Sequence, residues 1–348
     1  VYCNRGTGQN WQSAGLFGRV GAADGTTAPA CDIVIENVAV TGSIKSGRSV
    51  GGIVGKTLHV ADGNSVTVRN CLNFADITSS DAKGTAGIVG AGWNRPVSID
   101  NCANFGTVIA NYKNGGGISG SFEGTSNDCY NVGDISQSKA NNGQSFGTNN
   151  GGAVVKNFYW LTGTSNTTGA NAAIYQPSED STTYEITDNY LESGLSARDY
   201  MKSEAFLSAL NNGGAGWAFA LSTDPIYQKM DHMGLAGFPV PSAFATALVN
   251  VRFSTNPKDA SVVVKHGEET ISPESDGSYR LVKGETYTYT ASAGGYTTLS
   301  GSFLAEEGTK SLALTAEGGN EPENPGTGNV NAAIWDGKSI DVSWFDKN

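Results

Sequence analysis

Positive charge is scarce in this chain: 22 lysines and arginines stand against 33 aspartates and glutamates in 348 residues, a formal net charge of −11. No basic cluster offsets the excess, so a polyphosphate or an anionic leaflet would be repelled by most of the surface, and neither nucleic acid nor membrane is expected as a partner. There is no run of eighteen apolar residues, and hence no candidate membrane-spanning helix. The chain opens at Val1 without the pattern of a signal peptide, as a mature protein or an excised piece would. Histidine is limited to His59, His232 and His266, each in a different segment. A metal site would need them to converge from separate parts of the fold, so no metal and no cofactor is expected. HExxH does not occur, and the five cysteines form no CxxC pair, which leaves the redox compartment open.

What the chain has in excess is glycine, 47 residues, about twice the usual share. It also repeats itself. VRNCLNFADI (68–77), SIDNCANFGTV (98–108) and SNDCYNVGDI (126–135) align on Cys71, Cys102 and Cys129. Asn73, Asn104 and Asn131 then fall together, followed by Ala75, Gly106 and Gly133. IENVAVTGSI places Val38 in the cysteine column and VKNFYWLTG places Phe158 there, so cysteine is exchanged for plain apolar residues. A buried position behaves in this way; a thiolate ligand does not.

Interleaved with this motif is Gly-apolar-apolar-Gly or a close variant: GLFG (15–18), GIVG (52–55 and 87–90) and GISG (117–120). Each period therefore reads as two short strands separated by Gly, Asn, Ser and Asp turns, and no single period can bury its own face. Stacked coils of a parallel β-helix are the simplest solution, with glycine expected at positive-φ corners. Rungs roughly 4.8 Å apart with parallel Cβ vectors hold the column cysteines too far apart for a relaxed disulfide, which predicts a ladder of buried thiols. The asparagine column reads as an amide ladder or a turn-capping stack.

These paired motifs resemble the GLUG-motif repeats of large bacterial surface and secreted proteins, including non-catalytic regions of some immunoglobulin A peptidases. The resemblance covers about residues 1–163 and implies an extracellular or cell-surface location with a stalk or adhesive role. The family supplies no catalytic residues to carry over.

Residues 164–194 read as a loop-rich closing coil. LSARDYMKSEAFLSALNNGG carries a capping box, Ser196 with Asp199, and an apolar stripe, so 195–241 is expected to form a helical cap over the solenoid's end, with Trp217 and Phe238 packed inward. Residues 1–241 thus form the first domain. From 249 to 316, six alternating strands with turns at NPKD, SDG, KGE and AGGY predict a small β-sandwich. Their order resembles PEGA-type, immunoglobulin-like modules of bacterial envelope proteins. An acidic Gly/Pro linker, 317–330, leads to 331–348, which resembles the start of another such module. The expected class is all-β.

Two kinds of site suggest themselves. Asp76 and Asp134 share a column two rungs apart, roughly 10 Å between backbones, near the upper limit of carboxyl spacing for an inverting glycosidase. The same position at a coil corner also suits turn-capping, which weighs against catalysis. Trp93, Tyr112 and Phe122 flank the later glycine motifs and would offer a stacking surface for sugars if their loops leave one flank. The function expected is structural or adhesive, with an extracellular glycan or a cell-surface protein as partner. The alternative is a carbohydrate-active β-helix, a hydrolase or lyase.

Overall fold

The computed structural model describes residues 13–22, 27–80, 84–92, 97–111, 114–137, 142–148, 152–164 and 178–317. It divides into two compact units, 1–246 and 247–348. The expected linker beyond 317 and the further module at 331–348 lie outside the described residues.

The first unit is a parallel β-solenoid of about four turns. Each coil carries five short strands rather than the two that the sequence suggests, and like strands pair in parallel to build five columns. Column one runs through Val50–Gly51, Thr85–Ala86 and Gly115–Gly116; column two through Val54–Thr57, Val89–Gly92 and Ser119–Ser121. Column three holds Ile33–Glu36, Val66–Arg69, Val97–Asp100, Gly124–Asn127 and Val154–Lys156. Column four holds Ala39–Val40, Leu72–Asn73, Ala103–Asn104, Tyr130–Asn131, Phe158–Leu161 and Thr183–Ile186; column five holds Ser43–Ser46, Asp76–Ser79, Val108–Ala110 and Ile135–Gln137. Strands of two to four residues are too short to show an alternation of their own, which is why most of them are invisible as a period.

The two sequence motifs turn out to face each other across the coil. Asn104 is fully buried; its Nδ2 donates to Gly106 O at 2.9 Å and to Asn131 Oδ1 at 2.7 Å, and its own Oδ1 accepts from Asn73 Nδ2 at 2.8 Å. This amide ladder ends at Gln144, whose Oε1 accepts from Asn131. The first glycine of the Gly-apolar-apolar-Gly motif lies directly against it: a Cβ on Gly87 would sit 2.2 Å from Asn104 Oδ1 and 2.4 Å from Gly117 O. Glycine is thus used here for close approach. The positive-φ corners are shared: glycine takes them at Gly21, Gly42, Gly63, Gly84, Gly124, Gly152 and Gly163, as expected, while in the column just before the cysteines they fall to Asn37, Asn70, Asn101, Asp128 and Asn157, all with φ between 51° and 59°. Asparagine tolerates this region better than other side chains bearing a Cβ, and its amide can pair with the coil above. Beside them Cys71, Cys102 and Cys129 are free thiols in the core, with Ile53, Ile88, Phe122, Val155 and Phe158. Burial pushes the Cys102 thiol well above its ordinary pKa.

The helical segment does not close the solenoid's end; it lies along its side. Helices α1 (Ala197–Tyr200), α2 (Glu204–Asn211) and α3 (Pro225–His232) cover the outer face of column four. Ser196 accepts from Asp199 N at 3.2 Å as expected, but Ser203 accepts from Phe206 N at 3.2 Å and starts a second helix in what reads as one. The third helix, opened by Asp224 and Pro225, was not foreseen. The column it helps to cover is buried on both sides: Cys71 and Asn73 point in, while Leu72, Phe74, Ala103, Tyr130 and Tyr159 point out and join the cap's Phe206, Leu210, Trp217 and Phe238 in one cluster. Thr183–Ile186 extends column four, so part of the expected closing coil does continue the solenoid.

In the second unit, a three-stranded sheet (279–282, 248–256, 308–313) and a four-stranded sheet (269–271, 261–266, 286–292, 299–304) share a core of Val249, Val251, Val264, Tyr279, Leu281, Tyr287 and Phe303. Six of these strands are those read from the sequence; the short 269–271 strand is additional. Phe253 spans the sheets, 5.7 Å from Tyr279 and 5.4 Å from Phe303.

Candidate functional site

Only part of the solenoid's perimeter is open. Beyond the first coil, columns one and two are almost wholly buried and column four is covered by the helices, which leaves columns three and five facing solvent. On column three the outward positions of successive strands are Val34, Thr67, Ser98, Thr125 and Val154, and beside them Glu36, Arg69, Asp100, Asn127 and Lys156. They are linked from rung to rung. Glu36 Oε2 accepts from Arg69 Nε at 2.7 Å; Asn127 Nδ2 donates to Asp100 Oδ1 at 2.6 Å; Ser98 Oγ donates to Asp100 Oδ2 at 2.6 Å and accepts from Thr125 at 3.4 Å. The result is a flat array of hydroxyl, amide and charged groups repeating at the rung spacing of roughly 4.8 Å. The sequence reading missed it, although VTVR, VSID and GTSN carry the inward-outward alternation immediately before each Asn/Asp-Cys pair.

Between this array and the cap runs the corner ladder. Asn70 Nδ2 donates to Asn37 Oδ1 at 3.1 Å, Asn101 Nδ2 to Asn70 Oδ1 at 3.3 Å and Asn157 Nδ2 to Asp128 Oδ1 at 2.7 Å. Asp128 is the one acid in the series. Burial raises its pKa and the Asp100 charge adds to this, against the Asn157 hydrogen bond, which lowers it. A carboxyl raised in the folded state stabilises the fold fully below its unfolded pKa, and that contribution is lost as pH rises through the folded value. Asp128→Asn is therefore expected to raise the urea midpoint at pH 7, with the difference from the parent shrinking as the pH falls to about 4. A mutant no more stable than the parent at pH 7 would show that Asp128 carries no such penalty.

The residues singled out from sequence do not form one site. Asp76, which opens a column-five strand, and Asp134, which immediately precedes one, are both exposed, and Asp76 Oδ1 accepts from Thr107 N of the next rung at 3.1 Å. Phe122 is no surface platform: it is fully buried in the solenoid core, its ring 4.2 Å from that of Phe146. Phe146 stands in the column of Val54, Val89 and Ser119, whereas Phe122 follows Ser121 at the place that Thr57 and Gly92 take in the preceding coils. Trp93 and Tyr112 lie outside the described residues. In the chain they fall between Val89–Gly92 and Val97–Asp100 and between Val108–Ala110 and Gly115–Gly116. His266 Nε2 lies 3.9 Å from Glu285 in the second unit, and among the described residues no cluster of His, Cys, Asp and Glu could hold a metal ion.

No protein-family model matches this chain, and neither does any curated protein. Among solved structures, the chain is similar to a Bacteroides ovatus protein provisionally assigned as an immunoglobulin A1 protease, with 18% identity and a TM-score of 0.41. The likeness covers 60% of this chain and 57% of that one, so this chain matches a little over half of that structure's length.

Proposed function

We propose that the chain is a scaffold and adhesive part of an extracellular bacterial surface protein, with column three of the solenoid as its presenting face for a glycan or a surface protein. The observation that carries this reading is the array itself: Thr67, Ser98, Thr125, Asp100 and Asn127 hold donors and acceptors in fixed register on a face left open while the neighbouring apolar column is covered. Rigid, preordered polar groups lose little conformational entropy on binding a hydroxyl-rich ligand. The resemblance to GLUG-motif repeats supports the surface location, and the second unit fits an immunoglobulin-like, PEGA-type spacer.

A glycan-array screen of the intact chain tests this. Selective binding that falls about tenfold in Arg69→Ala or Asp100→Ala, for charge-assisted hydrogen bonds of 1.5–3 kcal/mol, is the expected result. Binding indifferent to both changes would remove column three from the reading. A second reading, a polysaccharide hydrolase or lyase, keeps one favourable observation, the exposure of Asp76 and Asp134 at the other open column. Products formed from bound glycans, and lost in Asp76→Asn or Asp134→Asn, would establish it.

A further inference from the structure

We propose that the second unit carries a separate carbohydrate subsite, a groove for one neutral sugar ring on the outer face of its three-stranded sheet. The groove is open to solvent, has a volume of about 660 Å³ and is lined by Leu248, Asn250, Arg252, Glu274, Arg280 and Glu307, together with Ser275, Asp276 and Ser278. Its volume is within the roughly 300–1,000 Å³ common for small-molecule sites. Strand alternation creates it: Val249 and Val251 point into the core, so Asn250 and Arg252 point out, and Arg280 stands opposite Asn250 on the neighbouring strand. The floor is the central strand of its sheet, paired with 279–282 on one side and 308–313 on the other. A peptide cannot add there as an extra strand, so recognition must come from side chains.

Three of the five charged side chains are already held in place. Asp276 pairs with Arg252 and also accepts from Ser278 N at 3.0 Å and Ser278 Oγ at 2.6 Å, and these hydrogen bonds keep its carboxyl below the usual pKa. Glu307 Oε2 accepts from Asn250 N at 2.7 Å. Arg280 and Glu274 are exposed, and among the described residues their charged ends make no hydrogen bond or ion pair. A guanidinium donates to a pair of oxygens and a carboxylate accepts from a pair of hydroxyls, which together match the vicinal diols of a sugar, with Leu248 against its C–H face. Two arginines against three carboxylates leave the groove with one net negative charge, which disfavours phosphate and acidic sugars.

Saturation-transfer NMR on the intact chain, with the methyl glycosides of glucose, galactose, mannose and glucuronic acid as probes, decides the matter. The expected result is transfer to at least one neutral glycoside that persists when Asp100→Ala is introduced to weaken the solenoid face, that in this background falls about tenfold on adding Arg280→Ala or Glu274→Gln through loss of charge-assisted hydrogen bonds, and that Thr288→Ala on the other sheet leaves unchanged. No transfer to any neutral glycoside, transfer that survives both groove substitutions, or transfer to the glucuronide alone would each overturn the proposal. The solenoid's presenting face stands or falls separately, because its own substitutions lie in the other unit.

Discussion

Asn104→Ala is expected to remove on the order of 3 to 5 kcal/mol from the stability of the first unit, because it leaves buried acceptors without donors at about 1–3 kcal/mol each. Gly106 O and Asn131 Oδ1 lose the Asn104 amide, and Asn73 Nδ2 loses one of its two acceptors, and all three residues are buried. Water cannot readily enter to replace them, since Gly87 and Gly117 press on the ladder from the opposite side. Urea unfolding measures the loss, with Thr67→Ala on the open face as a control expected to stay within about 0.5 kcal/mol of the parent. A loss below about 1 kcal/mol for Asn104→Ala would mean that the ladder adds little beyond the backbone pairing.

Tyr130→Ala should be comparably severe, at about 3–5 kcal/mol for a fully buried aromatic. Tyr130 points outward from column four, 5.1 Å from Trp217, 5.7 Å from Phe206 and 5.6 Å from Phe105, and its hydroxyl donates to Pro239 O at 2.5 Å. Burial pushes its phenol well above the ordinary tyrosine pKa, so it remains a donor throughout the range where the protein is studied. The loss should be local as well as global. Amide exchange across 197–245 should accelerate before that of Ile99 or Val68, whose strands do not touch the cap's cluster. Tyr130→Phe, which removes only the hydroxyl, should cost about 1–3 kcal/mol by orphaning the Pro239 carbonyl. Uniform exchange along the whole unit in Tyr130→Ala would show that this side chain does not anchor the helices.

The solenoid was legible because its core positions recur in the chain at intervals of 33, 31, 27 and 29 residues, the separations along the corner column. At such regular spacing Cys71, Cys102 and Cys129 identify one another, and their exchange with Val38 and Phe158 reveals burial. The cap's helical content was legible from Ser196 and Asp199, but its position was not. That depended on Leu72, Phe74, Tyr130 and Tyr159 being apolar on the face away from the core, a property of the residues between the conspicuous ones. Strands of two residues carry no period, so five per coil could not be counted. Of the candidate site, Phe122 misled because an aromatic after a glycine motif looks alike whether it fills the interior or leaves it; only the partner Phe146 in the next coil distinguishes the two.

The side-on placement of the helices also governs how the first unit unfolds. A stack in which each coil touches only its neighbours melts like a zipper, fraying from whichever end is weaker. Here the cap's side chains reach Phe74 and Phe105 in successive coils, then Tyr130 and Tyr159 in the next two, and Phe238 lies 5.7 Å from Phe105 while Phe206 lies 5.3 Å from Tyr159. Coils that are not neighbours thereby share a common partner. Peeling one away exposes the apolar surface that holds the others, so the stack gains the all-or-none cooperativity of a globular domain in place of the graded melting of a repeat array.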